Sequence, residues 1–157
     1  MDRIYIEDVA ESIRRTLSLE VPICANDLQQ SMINNLRSMQ MEEDARLVIR
    51  NKKDFIIEYR EGMASEDVLF AIAYEIGHVC LHLLNDDATI SEQTNFSKEQ
   101  ETDAREFAVS FLMPVDAFIE KCKEYHNDRT VNVSQVAKYF HVSPRLASLR
   151  GSEIGIW

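Results

Sequence analysis

The chain of 157 residues is 45% hydrophobic and 28% charged, enough apolar material for one compact domain with a sizeable core and too much for a disordered chain. Its formal net charge of −10, with lysines and arginines scattered, opposes a phosphate backbone and sets nucleic acid aside as a first partner. No apolar run reaches the roughly 18 residues of a membrane span, and the opening MDRIYIEDVAES lacks the basic start and apolar block of a signal peptide. With Cys24, Cys80 and Cys122 in no C-x-x-C pair, a cytoplasmic location with free thiols and no membrane contact is expected.

Ile6, Val9, Ile13 and Leu17 recur at helical spacing and predict a helix over residues 4–18. After VPIC, Asn26 can cap a second helix through Leu36. The period then changes from helical to alternating. In ARLVIR and DFIIEYRE, Leu47 and Ile49, then Phe55, Ile57 and Tyr59, fall on one side of two strands joined by the polar turn NKK. Met39 and Met41 open a third strand before them, so a small antiparallel meander is expected.

Ser65 with Glu66 and Asp67 marks a helix start, acids near the positive end of the dipole, and the helix should reach about Leu84. NDDATISEQTNF reads as a loop. Ser97 and Gln100 then form a capping box for the helix KEQETDAREFAVSFLM. Pro114 ends that helix and opens another, to about Tyr125. Beyond the turn HNDRT, two short helices, VSQVAKYF and SPRLASLR, precede GSEIGIW. The order is α+β, with a main domain over residues 1–130 and a helix-turn-helix-like segment over 131–157 packed on it.

Chemistry concentrates in AIAYEIGHVCLH, residues 71–82. At a helical period, Leu69, Ile72, Ala73, Ile76, Cys80 and Leu83 form a core stripe, while Ala71, Tyr74, Glu75, His78 and His82 take the opposite side, which is either the wet side of an amphipathic helix or a face over which the next helix folds back. Gly77 costs about 1 kcal/mol relative to Ala in mid-helix, which suggests a close approach by another element. With His at Tyr74 the segment would read H-E-x-x-H, in which two imidazoles one turn apart hold zinc and the intervening Glu acts on bound water. A neutral phenol with a pKa near 10 is a far poorer ligand than imidazole. His78 and His82 are also one turn apart, but that register puts Val79 where the general base belongs. Weak zinc binding, a shifted metal site, and no metal at all stay open.

FAIAYEIGHVCLH, DAREFAVSFLMP and VAKYFHVSPRLASLRGSEIG, taken in order, resemble the ImmA/IrrE family of zinc-metallopeptidase-like proteins of bacteria, phages and mobile elements. The resemblance spans residues 55–155. It implies a zincin-like fold with Glu75 as general base, His78 as the second zinc ligand and Asp103 as the acidic third ligand. Tyr74 stands where the family's first ligand belongs, Asp103 is one methylene shorter than the family's Glu, and Leu69 and Ala71 replace its common Arg and Thr. His82 is the remaining candidate donor.

The resemblance also implies a helix-turn-helix repressor as protein partner, either cleaved by an active zinc metallopeptidase or bound by a pseudoenzyme whose catalysis is impaired or lost. A rival from another class is a DNA-binding module built on VSQVAKYFHVSPRLASLR, with Arg145 and Arg150 on its second helix. Few basic residues and the chain's charge weigh against it. His126 and His141 are isolated and read as surface or packing residues. The oligomeric state is left open.

Overall fold

A computed structural model describes residues 1–51, 54–83 and 95–157. Helix α1 (Arg3–Thr16) begins where the Asp2 carboxylate accepts the Ile4 N–H at 3.0 Å, and α2 (Ala25–Ser31) follows, capped by the Cys24 sulfur rather than by Asn26. Helix α2 is also shorter than its composition suggests. A 3₁₀ turn at Ile33–Asn35 leads directly into β1 (Leu36–Met39), with the Asn35 amide donating to the Phe55 carbonyl at 3.0 Å.

Strands β2 (Ala45–Asn51) and β3 (Asp54–Arg60) form the expected antiparallel pair, with Leu47, Ile49 and Ile57 buried on the expected side. The NKK turn lies partly outside the described residues. The expected meander is not what forms: the order is β1-β3-β2, and β1 runs parallel to the central β3. Residues 40–44 step over the end of β3, a span of roughly 10 Å for two strand spacings. There the N–H groups of Arg60 and Glu61 donate to the carbonyls of Asp44 and Met39, each at 2.9 Å. Alternation specifies that a segment is a strand and which side is apolar, but not its neighbour.

Helix α3 (Ser65–His78) packs against β2 and β3 and continues as a π-helical turn, Val79–Leu83. Leu69, Ile72, Ala73 and Ile76 are buried as expected, whereas Cys80 and Leu83 are only half-buried, because the wider turn changes the phase of the stripe. The expected loop over residues 85–96 lies outside the described residues up to Thr94. Helix α4 (Lys98–Leu112) starts with the Ser97–Gln100 capping box, both bonds present at 3.0 and 3.1 Å. It folds back along α3. A Cβ at Gly77 would meet the Ala104 carbonyl oxygen at 3.0 Å, the Ala104 Cα at 3.1 Å and the Phe107 Cβ at 3.1 Å, so the mid-helix glycine is what lets the two helices approach.

Pro114 precedes α5 (Val115–Glu124), and the HNDRT turn is a hairpin of β4 (His126–Asn127) with β5 (Thr130–Val131). Helices α6 (Val133–Phe140) and α7 (Pro144–Ile154) follow, separated by His141 in the left-handed region at φ 59°. Arg150 of α7 is 1% exposed. Its Nε donates to the Met113 carbonyl at 3.0 Å and its Nη2 to Glu7 Oε1 at 2.6 Å, while Arg14 of α1 donates to the carbonyls of Ser110 and Phe111 at 3.0 and 3.2 Å. Two cations thus satisfy the carbonyl end of α4, where they also complement its dipole. Trp157 covers Gly151, whose missing Cβ leaves room for the indole.

Gly77→Ala gains helix propensity but presses on the Ala104 backbone, which cannot move as a side chain can. A net loss of about 1 kcal/mol is expected in urea unfolding, against unchanged or raised stability for an alanine placed in an open helix. A stabilised Gly77→Ala protein would contradict the close approach.

Candidate functional site

The side of α3 opposite its core stripe is covered and not wet: Glu75, His78 and His82 are 7%, 2% and 7% exposed. Helix α3 has neighbours on both sides: the edge of β2, Phe96 and α4 close over this face. Asp103 arrives from α4, 6% exposed, on the same turn as Ala104 and Phe107 that touch Gly77. The structure therefore gathers the sequence candidates into one buried cluster.

Within it, Tyr74 meets His78 edge-on with ring centroids 5.0 Å apart, and Phe96 lies flat on the His78 imidazole at 3.6 Å and 13°. The His78 and His82 Nδ1 atoms are 3.0 Å apart, so one of the two carries the shared hydrogen. The His82 Nε2 lies 3.6 Å from Asp103 Oδ2, beyond ordinary hydrogen-bond length, and has no closer partner among the described residues. The α-amino group of Met1 is 3.4 Å from the other Asp103 oxygen. His82 stands between His78 and Asp103.

Burial governs the titration of these groups. The Glu75 carboxyl is pushed up to about 7 by desolvation, with Glu43 adding to it. The His78 imidazole is pushed down to about 3 by desolvation and by His82, and His82 is lowered by burial in spite of Asp103. The Tyr74 phenol is raised by burial, then by Glu101 and Glu75. Each shift favours the neutral form.

The donors implied for zinc do not converge on one point in this arrangement. Tyr74 would have to ionise where its surroundings oppose a phenolate, and Asp103 is directed at His82 and an ammonium rather than joined to His78. Among the described residues no three His, Cys, Asp or Glu side chains come together to hold a metal. The Glu75 carboxyl, near 7, can still hold or take up a proton at a polar group of a bound chain in the cleft it lines.

The cluster opens into a cleft of about 990 Å³. One wall is the run of β2 from Ala45 to Arg50; the other carries Tyr74, Glu75, His78 and Phe96. Sequence reasoning missed Phe96 and the β2 wall, which carry no motif. It also missed Glu58, 5% exposed between Arg46 at 2.6 Å and Arg37 at 3.4 Å, although three charged residues on neighbouring strands were a visible signal. His126 is exposed, and the His141 Nδ1 is 3.0 Å from the Ile23 carbonyl oxygen. No described helix is long and apolar enough to cross a membrane.

A small sheet packed on a helix that carries E-x-x-H beneath a cleft defines an α+β domain of the zincin-like class. The chain belongs to the IrrE N-terminal-like domain family, whose profile matches residues 20–152. No curated protein matches the chain. Among solved structures it is similar to a Mycobacterium tuberculosis transcriptional regulator, with a TM-score of 0.65 at 16% identity. The match covers 94% of this chain and 46% of that one, and the likeness is one of fold.

The raised Glu75 pKa sets a pH dependence of known sign. Its stabilising effect is fully present below the unfolded value of 4.5 and is lost as pH rises through about 7, because the folded chain holds a proton that the unfolded chain releases. His78 acts in the opposite sense, destabilising as pH falls from 6.5 toward about 3. Comparing wild type with Glu75→Gln isolates the carboxyl. Their difference in unfolding free energy should move against wild type by up to about 3 kcal/mol between those pH limits. A flat difference would mean that Glu75 is solvated.

Proposed function

We propose that this domain is a protein-binding member of its family that holds an extended segment of a partner between β2 and α3, with zinc catalysis lost or impaired at Tyr74. The observation that carries the reading is the hydrogen-bonded His78–His82 pair beside Tyr74, with Asp103 turned to His82 instead of toward a common metal position. The cleft supports it from the other side. Strand β2 stands at one end of the order β1-β3-β2, so over Ala45–Arg50 its second edge has no strand beside it among the described residues and suits an added one. By resemblance, the partner is a helix-turn-helix repressor and the setting is the cytoplasm. In this reading the domain acts by masking a surface of the repressor, and the burial of Arg150 leaves the C-terminal helices little basic surface for DNA.

The second reading, an active metallopeptidase that cleaves the repressor, draws on Glu75, whose pKa of about 7 suits a general base. Metal content decides between them. Protein purified without added metal should carry no stoichiometric zinc, and Tyr74→His should gain zinc affinity by on the order of a hundredfold, one ligand's share of a structural zinc site. Stoichiometric zinc in wild type that disappears in His78→Ala would overturn the binding-only reading.

A further inference from the structure

We propose that the segment taken by the cleft is acidic on one side only: it carries Asp or Glu at two positions four residues apart, facing Arg46 and Arg50, and uncharged residues between them. This rests on the reading of the cleft as a site for an extended chain and adds what that chain must contain.

The cleft wall is six consecutive residues of β2, inward and outward ones alike, with Glu58 of β3 beside them, which points to the edge of β2. Side chains alternate along that edge. Ala45, Leu47 and Ile49 turn inward to α3, and Arg46, Val48 and Arg50 turn outward, with both arginines exposed. A strand laid beside β2 sets one of its own side chains opposite each of these, about 5 Å away between Cβ atoms. Opposite charges at such positions stabilise and like charges destabilise.

The outward row is positive even though the whole chain carries −10. The strand register aligns Arg37, Glu58 and Arg46 in one line, so a single buried carboxylate is shared by two guanidiniums. Arg46 spends its Nε on Glu58, one of the five donors a guanidinium offers. Arg50 adds a further positive charge further along the same side. The inward side is the reverse. Glu101 lines the cleft there with Glu75 and repels an acid directed inward, and Glu43, just before β2, acts on both Glu75 and Arg46, so it offsets part of the outward charge at that end and leaves Arg50 the freer of the two arginines. Distant acids of the chain matter less, since exposed charges are screened beyond about 10 Å at 0.1 M salt. Because a one-residue slip exchanges the two sides of a strand, this pattern selects register as well as composition.

The test is selection of a display library of random peptides, about a dozen residues long, on the full chain. Synthesis of the strongest binder follows, with its Lys-for-acid counterpart and two versions N-methylated at every second amide in either phase. Expected are sequences of the form acid-x-apolar-x-acid, and about tenfold weaker binding of the Lys counterpart, two cross-strand pairs' worth. One N-methylation phase should lose binding. Arg50→Glu, at an exposed position, should invert the preference at one end, and Arg46→Gln should abolish it at the other. If binders emerge and one N-methylated phase fails while acids and lysines serve equally, the acid rule is overturned, the cleft reading stands, and the arginines only guard an open edge. If no binder emerges, or both N-methylated phases bind as the parent does, the cleft reading fails and the acid rule with it.

Discussion

The close approach of α3 and α4 at Gly77 is the constraint on which the site depends. With the Ala104 backbone about 3 Å from where a Cβ would stand, the two helices are set at a spacing that any residue but glycine would push apart by a few tenths of an ångström. Asp103 is the residue before that contact and His78 the residue after Gly77. The spacing therefore fixes how far the α4 carboxylate reaches toward the α3 histidines. Loosening it by a few tenths of an ångström would alter the His82–Asp103 separation before it altered the fold.

That reach also sets how the side chains around Tyr74 arrange themselves. In a buried cluster each polar group needs a partner, and charged forms are expelled first. His78 finds its partner in His82, Phe96 shields its ring, and His82 turns toward Asp103. The neighbours line up along a chain instead of converging on a point, and the chain leaves the His82 Nε2 without a hydrogen bond among the described residues. Glu75 remains at the cleft, held near neutrality by burial, at the boundary between the packed cluster and the open edge of β2.

The far end of α4 is fixed by different means. Arg14 and Arg150, from the first and last long helices, converge on its final carbonyls, and Glu7 compensates the buried Arg150 while accepting the Ser110 hydroxyl. Removing one partner of such a pair leaves a buried charge uncompensated, typically at a cost of about 3–5 kcal/mol. Helix α4 is thereby clamped at its carbonyl end and pressed against α3 near its start, which holds Asp103 in place. The C-terminal helices, whose pattern resembles a DNA-binding motif, place one of their two candidate arginines inside this clamp.

Local rules made much of this legible. Periodicity located α1, α3, α4 and the two long strands, the S-x-x-Q box located the start of α4, and the cost of a mid-helix glycine pointed to a close neighbour at Gly77. Residues whose chemistry depends on spacing within one helix, Tyr74, Glu75, His78 and His82, were identifiable for the same reason. What depended on a second element was not. The polar face of α3 is buried because α4 and Phe96 cover it, and the apolar pattern of one helix by itself leaves open whether such a face is wet or covered. Strand β1 pairs in parallel with β3 because residues 40–44 step over a strand, and alternation carries no information on partner choice. Sequence determined the elements and the reactive residue types; tertiary structure decided which donors face one another, because that is set by the separation and register of elements and not by spacing along any one of them.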